Sequence, residues 1–150
     1  MLDLNNPQDF EKVSNDFDAL ALLFDAFAKN VSQQAKEAAI TVTLQSRPDT
    51  GHCPGFSTLF AGYDLHFVFA PRLYAGVSVS GKACLKGRVK CYLEREYPKG
   101  ERVFLNAFTF DVKGVTDREA FGRSGYLQVD EVADARFLLN PALALSLCQY

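Results

Sequence analysis

Seven apolar residues, Phe10, Val13, Phe17, Leu20, Phe24, Phe27 and Val31, recur at alternating steps of three and four. That spacing lays a continuous stripe down one side of an α-helix. Asp9, Lys12, Asn15, Asp16, Asp25 and Lys29 fall elsewhere around the same helix. Asn6-Pro7 supplies a start, with an amide cap and a proline at the first helical position, and Asp9 and Glu11 favour the positive end of the helix dipole. The helix is expected from about Pro7 to about Lys36, with Ser14-Asn15 as its weakest point. Four of the seven stripe residues are phenylalanine, which fits coiled-coil knobs poorly. The stripe therefore predicts a helix laid across the chain's own sheet, in preference to a self-associating helix.

From Ala39 the apolar period drops to two. Ile40, Val42 and Leu44 alternate with Thr41, Thr43 and Gln45, as in a half-buried strand. The stretch 47–55 carries two prolines and two glycines and reads as a loop. Phe56 to Ala70 is strand material, with a turn expected at Pro71-Arg72. Leu73 to Val79 alternates again, and Gly81 marks a reversal or bulge. A long strand follows from about Lys82 to about Tyr97, with Val89, Cys91 and Leu93 on the core face. After a hairpin turn at 97–101, Arg102 to Val112 is expected to place Phe104, Phe108, Phe110 and Val112 in the core. Thr116-Asp-Arg-Glu119 has the spacing of a capping box and predicts a short helix. Tyr126 to Val129 reads as a last short strand. Asp130 to Leu139 and Ala142 to Cys148, the latter after a second Asn-Pro start at Asn140-Pro141, read as short C-terminal helices.

The expected fold is α+β. A long N-terminal amphipathic helix packs on a roughly five-stranded antiparallel meander, because the strands succeed one another without intervening helices. In shape this is the helix-grip or cystatin-like style, an architecture that hosts carriers, enzymes, inhibitors and assembly modules alike. The 150 residues fit a single domain, and 48% hydrophobic content with 13 phenylalanines is enough to build a core. The first residues carry acid and no basic leader, and the apolar stretch from Ala19 to Phe24 is too short to span a bilayer. A cytoplasmic protein with no membrane contact and reduced cysteines is expected.

No motif carries a specific chemistry. His66 lies in an alternating strand, opposite the aromatic run, and reads as a sheet histidine. His52 and Cys53 are adjacent in a loop, where a nucleophile and its base cannot readily align. Cys84 and Cys91 stand an odd number of residues apart, which on a regular strand puts them on opposite faces and argues against a shared metal unless Gly87 breaks the strand. Glu94, Glu96 and Asp130-Glu131 read as surface charge, since paired acids need a cleft to do glycosidic work. No catalytic residue, cofactor or metal is expected.

Charge is segregated instead. Residues 72–102 hold eight basic and three acidic residues, a net of +5, in a chain of formal net charge −2. Residues 1–39 hold seven acids and three lysines, a net of −4. Lys82, Lys86, Arg88 and Lys90 share one strand face, and Tyr92 continues it. Such a face keeps a strand soluble, docks an acidic protein surface or a second copy of the chain, or tracks a single-stranded nucleic acid. The preferred expectation is a non-catalytic protein-binding module that uses this basic face. A small-ligand binder or cofactor-free enzyme, with an apolar pocket between helix and sheet and His66, Asp64 or a tyrosine hydroxyl at its mouth, is the alternative. Nucleic-acid binding comes after both.

Overall fold

The N-terminal stripe forms the helix it predicts. In a computed structural model, which describes residues 6–36, 40–44, 54–74, 84–95, 99–120, 122 and 124–148, helix α1 spans Pro7–Ala35 without a break at Ser14-Asn15. The Asn6 side chain accepts a hydrogen bond from the Gln8 N–H at 3.0 Å, satisfying one of the donors a helix start leaves free. Leu20, Phe24, Phe27 and Val31 are buried. The first turns overhang the sheet, and Phe10 is 62% exposed.

Eight strands follow among the described residues, more than the five expected: β1 (Ile40–Leu44), β2 (Gly55–Phe60), β3 (Tyr63–Phe69), β4 (Arg72–Tyr74), β5 (Cys84–Glu94), β6 (Arg102–Phe110), β7 (Val115–Glu119) and β8 (Tyr126–Gln128). They form one antiparallel sheet in the order β1-β2-β3-β5-β6-β7-β8, with β4 also paired to β5. A final helix, α2, spans Val132–Ser146. Both helices lie on the same face of the sheet, α1 against β1 and β5, α2 against β6, β8 and α1. Between them and the sheet lies a phenylalanine core. Phe56 and Phe67, directly opposed across β2 and β3, stack at 4.8 Å. Phe24 stacks on Phe56 and Phe69, and Phe27 meets Phe108 edge-on at 5.5 Å. Aromatic pairs in these geometries add about 0.5–1.5 kcal/mol each beyond their buried area.

Four expectations are corrected. Phe56 to Ala70 is two strands, not one: Ala61 and Gly62 both take positive φ, 50° and 81°, the signature of a two-residue hairpin whose twist matches its strands. Pro71 does not reverse the chain. The Ala70 N–H donates to the Arg88 carbonyl, and β3 and β4 pair in succession with the two halves of β5. Proline has no N–H for the ladder, so it interrupts the strand without turning it. The 116–119 segment is strand β7, not a helix: the buried Thr116 donates through Oγ1 to the Leu127 carbonyl at 2.8 Å, which commits it to the sheet rather than to a cap. The C-terminal region is one helix, with Pro141 inside it. Leu138 and Leu139 before the proline and Ala142 and Leu143 after it are all buried. Their burial, roughly 1.5–3 kcal/mol for each leucine, outweighs the ~3 kcal/mol cost of an internal proline. Of the alternation 73–79 only Leu73 and Tyr74, in β4, are described; residues 75–79, the reversal at Gly81 and the loop from 47 to 53 lie outside the described residues.

Candidate functional site

Alternation along β5 decides which side chains leave the core. Val89, Cys91 and Leu93 are buried against the helices, so Lys86, Arg88, Lys90 and Tyr92 occupy the opposite, helix-free face. These four of the five basic-face residues come together as expected; Lys82 lies outside the described residues. Arg72 joins them from β4, where it stands directly across from Lys86. The Arg72 guanidinium and the Lys86 ammonium each lie 5.7 Å from the centre of the Tyr74 ring, within cation–π range. Lys90 sits between Val68 and Ala107, and Arg88 beside Thr109. None of the four cations forms an ion pair with a described residue. The Arg88 Nε is buried and has no hydrogen-bond partner among the described residues.

The face continues into aromatics because of a bulge. Cys91 opposes Asn106 while Tyr92 opposes Phe104, so β6 carries one extra residue at Leu105. The bulge flips the parity of β6. Phe108 and Phe110 remain buried, as expected, but Phe104 turns outward and is 54% exposed, which corrects its placement in the core. Its ring meets Tyr92 edge-on at 5.7 Å. Val112, also expected inward, is exposed beyond the strand's end.

Acids bound the patch at both ends. At one end the row Asp64, Glu94, Arg102 crosses β3, β5 and β6. There the His66 Nε2 and a Glu94 carboxylate oxygen are 2.9 Å apart, and the hydrogen bond to His66 holds the Glu94 carboxyl below its ordinary range. The His66 side chain is 14% exposed, and its Nδ1 has no hydrogen-bond partner among the described residues. At the other end Lys86, Asp111, Asp117 and Tyr126 line a cleft of about 300 Å³. Both carboxylates there are anchored by backbone: Asp111 accepts from the N–H groups of Lys113 and Val115, and Asp117 from that of Thr109.

The remaining candidates do not assemble. Gly87 does not break β5, and Cys91 is a free thiol in the core, its pKa pushed up to about 12 by burial. Cys148 is free and exposed. Glu131 caps α2 by position, and the Asp130 carbonyl accepts from the Asn30 side-chain amide at 3.0 Å. His52, Cys53 and Glu96 lie outside the described residues. Among the described residues no group of three or more His, Cys, Asp or Glu side chains is placed to hold a metal ion, and no helix is long and apolar enough to cross a membrane.

A groove lies on the helix side of the sheet, where the alternative reading expected an apolar pocket, but His66, Asp64 and the tyrosines are not among its described lining residues. It has a volume of about 540 Å³ and runs between the C-terminal turns of α1, the paired residues Ile40 and Phe60, and the outer side of α2. No protein-family model, curated protein or solved structure matches the chain.

Proposed function

We propose that the chain is a non-catalytic protein-binding module that docks an acidic surface of a partner protein on the outer face of its sheet. The observation that carries this reading is the cluster Arg72, Lys86, Arg88 and Lys90, four cations on one face without an ion-pair partner among the described residues. Like charges directly opposed across strands are unfavourable, and Arg72 and Lys86 are so opposed. Carboxylates from a partner would relieve that repulsion. The exposed Phe104 beside Tyr92 adds the aromatic anchor that interface centres favour.

The acids at both ends favour a compact acidic protein patch over a nucleic-acid strand. A polyanion running along β5 would leave the basic stretch and meet Asp64 and Glu94 at one end, and Asp111 and Asp117 at the other.

The test is size-exclusion chromatography with light scattering, together with affinity measurements against the partner that co-purifies, at low and high salt. Lys86→Glu/Arg88→Glu is expected to weaken the complex about tenfold or more, since reversed charges set like against like across the interface, and to leave thermal unfolding unchanged. A complex indifferent to both salt and the double variant would overturn the reading. So would loss of single-stranded DNA binding, rather than protein binding, in that variant. A salt-sensitive oligomer of the chain itself would identify the acidic partner as a second copy.

A further inference from the structure

The groove on the helix side is a second, independent feature. Its described walls are aliphatic, built mainly from Ile40, Leu139, Leu143 and Leu147, with Phe60 as the one aromatic among the described lining residues. Leu147 is 54% exposed there. Arg136 is the one charged side chain among the described lining residues, with Asn140 one turn further along α2, and Arg136 forms no ion pair with a described residue. Side-chain hydrogen bonds fix the frame of the groove. Asn30 and Gln34, one turn apart on α1, donate from their side-chain amides to the carbonyls of Asp130 and Val132 at the start of α2. The two helices are therefore tied together beside the groove.

We infer that this groove binds a single-chain amphiphile with a carboxylate head, its alkyl tail along Leu139, Leu143 and Leu147 and its head on Arg136. The volume of about 540 Å³ lies in the range of small-molecule sites. Aliphatic walls with little aromatic surface suit a flexible alkyl chain. A guanidinium at the rim suits a carboxylate, which it can grip with two parallel hydrogen bonds.

The experiment uses the full chain, with dodecanoate and 1-dodecanol as probes, by calorimetry and by displacement of a fluorescent fatty acid. One-to-one binding of dodecanoate is expected. Ala144→Phe, at an exposed position lining the groove, should abolish binding of both probes without lowering the melting temperature. Arg136→Gln should weaken dodecanoate about tenfold and leave 1-dodecanol unchanged; because Arg136 is exposed, this variant keeps the test valid even if Ala144→Phe folds poorly. Several results would overturn the inference: no dodecanoate binding, binding unaffected by Ala144→Phe, or equal loss of both probes in Arg136→Gln. A concentration-dependent dimer that Ala144→Phe disrupts, without dodecanoate binding, would overturn it in favour of a second copy.

Discussion

Gly87 stands in the strand that carries Lys86, Arg88 and Lys90, and a side chain there would be directed into the core. A Cβ built at this position would meet the Phe110 ring at 2.3 Å, closer than real carbons approach. Phe110 is itself 1% exposed and stacks against Phe69, so the ring has nowhere to retreat. The glycine is a seat for an aromatic, not a break in the strand. Gly87→Ala is expected to destabilise the fold by about 1–3 kcal/mol, the usual cost of overpacking a filled core, read as a lower urea midpoint at an unchanged slope. A variant as stable as wild type would mean that Phe110 is free to move. The same substitution separates stability from the basic face, because the cations on either side of it are not altered. In sequence Gly87 reads only as an irregularity, since the residue that needs its missing Cβ is 23 positions away.

At the scale of elements, what the sequence made legible was local and periodic. The helix from Pro7, its Asn6 cap and the inward set Val89, Cys91 and Leu93 all follow from residue spacing within a few turns or one strand. The misreadings arose where a long-range contact outweighed a local signal. Thr116 has the spacing of a cap, but its hydroxyl is claimed by Leu127 across β7 and β8. Phe104 has the parity of a core residue until one extra residue, Leu105, is accommodated in β6. Arg72 could be counted as basic from the sequence, but its place beside Lys86 depends on β4 and β5 pairing. Pro141 is the clearest case, a helix breaker retained because apolar residues on both sides of it are buried. Replacing it removes the penalty and keeps the packing. Pro141→Ala is expected to raise stability by about 1–3 kcal/mol, measured by chemical denaturation; a loss instead would show that the path of α2 depends on the proline ring.

At the scale of the molecule, the sheet divides two chemistries. Its inner face carries the phenylalanine core, the helices and the aliphatic groove; its outer face carries the cations and the Tyr92–Phe104 pair. The acidic residues of α1 therefore lie on the helix side, away from the basic patch, and this polarity would orient the chain as it approaches a charged partner. The sequence displayed the charge blocks plainly, whereas the lining of the groove arises from four elements meeting, α1, β1, β2 and α2. Residues separated by the thickness of a filled core, with no shared partner, act additively within about 0.5 kcal/mol. Combining Lys86→Glu/Arg88→Glu with Ala144→Phe should thus change stability by the sum of the separate effects. Each change should also leave the other face's binding intact: dodecanoate affinity equal in wild type and the charge variant, and affinity for the protein partner equal in wild type and Ala144→Phe. A mutual effect of more than about fivefold would instead require a coupling free energy between the two faces. The phenylalanine layer offers a route for it, because Phe24 and Phe27 of α1 meet Phe56 of β2 and Phe108 of β6, and β6 pairs with the cation-bearing β5.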